Sequence, residues 1–537
     1  MTSSSGIAVT FVFAAVLMLC SPANAEPSGN IGEVDFDNSC DASVAVPFNH
    51  ALALLHHMMY EQATAAFADI EKQDPACALA PWGIAMAAVH PLWAPPSEQE
   101  LARGSDAIRR AQQLKPGTER EKSYIDAAAA FYRDWSPAKH REKLRDWSAA
   151  QAQIYRQYPG DIDAGALYAL SLLATAPMDD RSYRQQKQAG ALLKQLYRDN
   201  SSHPGANHYT IHAHDNPAMA ADALAVARGY DKIAPEVPHA LHMPTHIFVR
   251  LGLWPDTIDW NIRSAAAAQK QPAGNATSLH YFHALDYLMY AYLQQGRDAE
   301  AAAVLEQVLG AENPQDTFAA AFGIAAARAR YPLERHAWRE AAALSPGSHG
   351  DFPWQKYPWV QAMVYFSRGI GAARSGDAGA ANSAADQLDG LYRRAVDAEE
   401  EYWAALVDSQ RQAVRAWAIF AGGDEARGIA LMRKAAAQED GLDKHPVTPG
   451  PLLPARELLG DMLLAAEQPG EALQAYMNSI ELYPSRFNGL YGAALAAQEI
   501  GRKTEAEKYY RRLLEMAGAE DSQREALQQA RKFLSDQ

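Results

Sequence analysis

The sequence predicts an all-α chain, an α-solenoid of helical hairpins with Pro- and Trp-rich insertions. Three observations lead there. Glycines, small residues and larger apolar residues recur in the C-terminal part at a period of about 34 residues. The same pattern can be followed backwards through most of the 537 residues, and strand signals are almost absent. Hairpins of this kind bury their apolar faces only by stacking, which makes a long array with a concave groove lined mainly by the first helix of each hairpin.

At the N-terminus, residues 1–25 carry no charged side chain and contain an apolar run from Ile7 to Cys20, followed by the small-residue site Ala23-Asn24-Ala25. This reads as a secretory signal peptide cleaved before Glu26, although its start lacks the usual Lys or Arg. Leu19 before Cys20 speaks against lipoprotein processing, which favours a small residue there. No later segment is apolar for long enough to span a membrane. A periplasmic or secreted protein is expected. Export leaves Cys40 and Cys77 as a pair in an oxidising compartment, and a disulfide between them is expected, with two buried thiols as the alternative. A formal charge of -15 speaks against nucleic acid or an anionic membrane surface as partner.

Residues 26–46 read as an N-terminal arm and 47–537 as the solenoid. The regular C-terminal repeats, 453–537, carry the clearest period. Gly460, Ala472, Tyr476 and Pro484 stand at the spacing of tetratricopeptide consensus positions, and Ala494, Gly501, Ala506, Tyr510 and Leu513 fill the corresponding slots one period later. Small residues are required where the two helices of a hairpin cross closely, and a glycine turns the chain between them. The pattern recurs as Gly369, Gly376, Ala381 and Leu388, as Gly296, Ala301 and Leu305, and first as Ala63, Phe67, Ile70 and Pro75.

Three stretches exceed the minimal unit: 269–280, 345–360 and 444–456, each bearing Pro or Gly. Loops on a rigid array can close over one side of a groove; the plainer reading is that they cap apolar edges.

Nine of the 17 histidines lie between 203 and 283, within the His-rich repeats 203–295, where even spreading would place between two and three. His208 and His212 are four residues apart on a short helix expected to end before Asn216-Pro217, with Pro217 opening the next. His242 and His246 are again four apart, with Pro244 starting the helix that runs to Gly252. His280, His283, Asp286 and Tyr287 share one stripe of a following first helix. Two imidazoles one turn apart are pre-spaced for a single ion, and a third from a neighbouring helix completes a site with an open position. Neutral imidazole suits zinc, copper and iron alike. The expected ligands are His208, His212, His242, His246 and His283, around one or two divalent transition-metal ions, with Asp286 as candidate base or further ligand. Asp215 and Glu236 are the other carboxylates within reach. No HExxH sequence is present, so a built-in general base is absent.

Plainer roles compete. A single HxxxH arises often by chance, and histidines also stack on aromatics and cap helices. Met243 reads as packing beside Pro244, and His203, His214 and His280 as solvent-exposed. His56 or His57 on the first helix, and His445, are weaker candidates for the groove. Arg456 and Glu457 read as an ion pair or an anion contact.

The stretches FNHALALLHHMMY, DPACALAPWGIAM, NHYTIHAHD, HALHMPTHIFVRLGLW, HALDYLMYAYLQQGR and TPGPLLPARELLGDMLL together resemble a bacterial group of exported tetratricopeptide-repeat proteins, over nearly the whole mature chain. His214-Asp215 departs from it, an apolar residue followed by Glu being expected there. The resemblance implies the fold, the export and a site on the His-bearing helices, and names no reaction. Two functions follow. One is a metal-binding protein, extending to a metalloenzyme or a metal carrier, with a small-molecule or peptide ligand in the groove. The other is a periplasmic scaffold for peptides or proteins, which predicts an open groove without converging imidazoles.

Overall fold

The structure, a computed structural model, describes residue 1 and residues 30–536 apart from 94, 518–521 and 523. Beyond Met1, the expected signal peptide lies outside the described residues. From Ala42 to Ser535 the described chain is a succession of helices joined by turns and a few longer loops, and the only β features among the described residues are two isolated bridges, Ala273 with Ala276 and Thr277 with Pro314. The all-α solenoid is therefore the architecture. Its first α-helix, Ala45–His56, starts inside the stretch read as the arm.

Hairpin formation follows the small residues. In the hairpin of Ala455–Ala465 and Pro469–Leu482, a Cβ on Gly460 would stand 2.6 Å from the Tyr476 ring, so glycine sets how closely the two helices cross. The expected turn glycines Gly296, Gly376 and Gly501 all have positive φ, where glycine carries no Cβ penalty.

The N-terminal arm is anchored by Phe36, which packs on Phe48, Trp82 and Tyr124, and by a Cys40–Cys77 disulfide to the first hairpin. The arm and N-terminal hairpins share one apolar core, running from Phe36 to Ala213, and the later hairpins share another, from Val249 to Ala530. A smaller cluster that includes Ile211, Met243, Ile247 and Trp260 joins them. Met243 is part of it, as its expected packing role requires.

The array curls back on itself. Arg486, completely buried, donates to Tyr290 Oη at 2.8 Å, 196 residues away, and pairs with Glu457 at 2.7 Å and Glu334 at 2.9 Å. The Phe487 amide donates to Gln294 Oε1 at 2.9 Å. The insertion 444–456 does not cap an outer edge. Arg330 donates to Thr448 Oγ1 and to the Gly450 and Pro451 carbonyls at 2.7 to 2.9 Å, and Tyr287 donates to the Thr448 carbonyl at 3.0 Å. The concave interior is thus occupied by the protein's own loop. Arg456 and Glu457, read as an ion pair or an anion contact, each pair with another residue instead: Arg456 with Asp440 at 2.6 Å and Glu457 with Arg486. Among the described residues no helix is long and apolar enough to cross a membrane.

Candidate metal centre

Three helical segments build the histidine cluster. The helix Pro204–His214 begins with proline at its first turn, where the missing N–H is unsatisfied in any residue. His203 caps it, its Nδ1 accepting from the Ala206 amide at 3.2 Å. Gly205 lets this helix lie against Ala45–His56, since a Cβ there would meet His56 Nδ1 at 2.7 Å. That approach places His208 Nδ1 2.6 Å from the His56 carbonyl oxygen.

The second segment is helical in two pieces, Pro238–His242 and Pro244–Leu251. Pro244 removes one rung of the hydrogen-bond ladder, yet Met243 keeps helical φ and ψ of -53° and -41°, so the helical path continues. His239, His242 and His246 therefore fall on one face. Gly252 closes the segment in the left-handed conformation, at φ 69°. The third, Leu279–Gln294, is capped by Ser278 and presents His283 and Tyr287 to the same space.

The imidazoles converge as two triads. Ligand atoms of His242, His246 and His283 all lie within 4.8 Å of one another, as do those of His208, His212 and His239. The five predicted ligands are brought together, and His239 joins them.

The hydrogen bonds fix which ring nitrogens are free. Asn261 donates its amide to the Thr257 carbonyl, so its Oδ1, 2.8 Å from His242 Nδ1, accepts a hydrogen bond from that ring's N–H. His246 Nδ1 stands 2.8 Å from Asp215 Oδ2, a carboxylate that can only accept. His208 Nδ1 likewise donates to a carbonyl. In the neutral rings, Nε2 of all three is then unprotonated, that of His246 having Tyr287 Oη 3.3 Å away.

Burial keeps the rings neutral. It pulls His242 and His283 well below the ordinary imidazole range, with neighbouring imidazoles adding to the effect, and it pulls His246 down against the opposing pull of Asp215. His212 is pushed to about 3 by burial and then by His246. Burial opposes ionisation of Asp215 too, but Lys444 and Arg250, 2.6 and 2.9 Å away, hold its carboxyl far below the usual range. Burial draws Lys444 down to about 8, against the pull of Asp215.

Several expectations need correction. Asp286 is not among the imidazoles: its Oδ1 pairs with Arg330 at 2.8 Å, both side chains being completely buried. Asp215 is the carboxylate set against a ring. Glu236 is exposed, with only its carbonyl engaged, by Gln271. His203 and His280 are buried rather than exposed, and His214 is half-buried, its Nδ1 donating to the Thr210 carbonyl at 2.8 Å. His56 and His57 back the site from behind, His56 between Asp163 and Tyr209 and His57 between Tyr230 and the Ile31 carbonyl. Asn216 ends the preceding helix, donating to the Ala213 carbonyl, and Pro217 opens no helix. His445 sits in the inward loop among Phe318, Tyr402 and Trp403.

His239 and Asn261 stand outside the expected set of site residues. For His239 the signal was available: 239, 242 and 246 follow a spacing of three and then four, one helical face across Met243. Asn261 carries no such signal, since it reaches His242 from the separate helix Trp254–Gln269.

The tetratricopeptide-repeat profile matches residues 488–520. The matched residues fall in the hairpin of Phe487–Glu499 and Lys503–Met516, so one tetratricopeptide repeat is present among the stacked hairpins. Solved structures similar to it include the APC/C hetero-tetramer Cut9-Hcn1, at 13% identity over 90% of this chain and 89% of that one, with a TM-score of 0.33. The human IFIT1 dimer with PPP-AAAA is similar at 10% identity, over 90% and 96% of the two chains, with a TM-score of 0.39. No curated protein sequence matches the chain.

Proposed function

We propose that this solenoid binds a transition-metal ion, zinc, copper or iron, through His242, His246 and His283. The observation that carries the reading is the 3.1 Å separation of His242 Nε2 and His246 Nε2. Both rings spend their Nδ1 proton elsewhere, so two lone pairs face one another in a buried site. Such an approach is repulsive unless a cation lies between them. Two nitrogens about 2.0–2.1 Å from one tetrahedral zinc stand about 3.3 Å apart, close to the spacing found.

A narrow cleft bordered by Trp93, Phe318, Pro446 and Val447 adjoins His246 and His283 and would give the ion its open side. A metalloenzyme needs such a side; a metal carrier needs only the ligands. The disulfide supports the same reading's exported location, because such bonds persist in oxidising compartments.

Elemental analysis of protein purified without a polyhistidine tag tests the proposal. Wild-type protein retains at least one equivalent of metal through dialysis, and the double variant His242→Ala/His246→Ala loses it while remaining helical by circular dichroism. Metal content that is negligible, or equal in both proteins, removes the metal reading.

The scaffold reading has its own support. A second cleft of about 690 Å³, mouth included, lies across the inward loop and is lined by Phe322, Trp359, Tyr402 and Trp403. Aromatic walls suit an apolar small molecule or a peptide side chain. A metal-free protein that still binds such a ligand there would favour this reading.

A further inference from the structure

The second triad is not explained by one ion at His242, His246 and His283. His208 Nε2, His212 Nε2 and both ring nitrogens of His239 are buried without any hydrogen-bond partner. His208 and His239 are 0% and 2% exposed. A buried polar atom left unmatched is costly, and native proteins rarely keep several in one place without an ion, a ligand or water to satisfy them. The rings of His208 lie 4.9 Å from His212 and 5.0 Å from His239, centre to centre. The two triads are also contiguous: His212 is 5.8 Å from His246, and His239 is 6.1 Å from His242.

We infer that the six imidazoles hold a pair of copper(I) ions, one in each triad, resting on the metal reading above and extending it. Six ligands divide evenly into two three-coordinate sites, and contiguous sites of this kind form two-metal centres about 3.5–4 Å across. The charge of the surroundings selects the ion. Every ligand is neutral, no carboxylate belongs to either triad, and Asp215 is already matched by Lys444 and Arg250. Two divalent ions would bring four uncompensated positive charges into a buried site, whereas two copper(I) ions bring two. Imidazole is a good ligand for copper. The free wall of Trp93, Phe318, Ala319, Pro446 and Val447 is apolar, so an added ligand reaching the pair is small and uncharged.

Anaerobic loading of the metal-free full chain with copper(I), and separately with zinc, followed by desalting and elemental analysis, tests this. Two copper ions per wild-type chain are expected. One is expected in His208→Ala/His212→Ala, one in His242→Ala/His246→Ala, and none in the combined variant. Circular dichroism and thermal melting accompany each variant, and the conservative pair His208→Gln/His212→Gln gives the same count in a protein that retains bulk at both positions. A single copper in the wild type, lost from either double variant, overturns the paired centre and leaves the single-ion proposal standing. Two zinc ions that copper(I) does not displace overturn the charge argument. No retained metal of either kind overturns both proposals.

Discussion

His242 is held toward the other imidazoles by Asn261, which is neither near it in sequence nor part of the cluster. The bond from His242 Nδ1 to Asn261 Oδ1, 2.8 Å long, sets the tautomer and the ring's rotation. Hydrogen-bond partners of metal-binding imidazoles are worth roughly 10–100-fold in affinity. Asn261→Leu, which keeps the bulk and removes the acceptor, therefore weakens metal binding by roughly that factor, measured by competition with a chromogenic chelator. The helix content stays unchanged. At this scale the sequence was readable where ligands share a helix. His208 with His212, and His242 with His246, declare themselves by a spacing of four. Asp286 misled because its position on the stripe of His283 gives the direction of its side chain but not the presence of Arg330, 44 residues on and in another helix.

His57 illustrates a different residue-scale effect. Burial lowers its pKa from 6.5 to about 4, the bond to the Ile31 carbonyl opposing the shift. In the unfolded chain the ring gains a proton below 6.5, while in the folded chain it stays neutral until about pH 4. The unfolded state thus binds more protons in that window, so stability is full above it and falls as pH drops. The slope is about 1.4 kcal/mol per pH unit from this group alone, levelling off below the folded pKa. Urea denaturation of metal-free protein across the window gives the slope, and His57→Asn makes it shallower.

Among the elements, the inward loop holds the site together. Thr448, Gly450 and Pro451 are gripped by Arg330, itself paired with Asp286, and Lys444 at the loop's start pairs with Asp215. Arg330→Ala strands Asp286 in the core, and breaking one side of a buried pair costs about 3–5 kcal/mol. Denaturant unfolding reads that loss, and limited proteolysis cuts the freed segment 444–456 faster than in the wild type. Its composition marked this stretch as a loop. Its inward course depends on Arg330 and Tyr287, more than a hundred residues earlier, and a local pattern carries no information on that.

The helix pair at Gly205 makes a smaller prediction at the same scale. Gly205→Ala sets a methyl group 2.7 Å from His56 Nδ1. Overpacking of this kind costs about 1–3 kcal/mol, and it also stretches the bond between His208 and the His56 carbonyl. Thermal melting shows the first effect and reduced metal retention the second.

For the whole molecule, the period of the repeats was sufficient for the all-α solenoid, because each hairpin contacts chiefly its neighbours and leaves its small residues at fixed intervals. The curl that brings Arg486 to Tyr290 is a sum of small rotations, which the repeat pattern does not encode. The histidines converge because neighbouring segments of the chain pack together, and the inward loop adds Lys444, Pro446 and Val447 beside them. The disulfide acts at this scale too. It closes a span of 37 residues and pins the arm that carries Phe36. Its reduction lowers stability by about 2–4 kcal/mol, seen as an earlier melting transition in the presence of a thiol reductant.

X-ray absorption at the metal edge of purified, loaded protein examines the imidazole cluster most directly. The account predicts a first shell made up mainly of imidazole nitrogen, at about 2.0–2.1 Å if zinc is bound, with the outer-shell scattering that imidazole rings produce. A shell dominated by oxygen or sulfur, without that outer scattering, contradicts it.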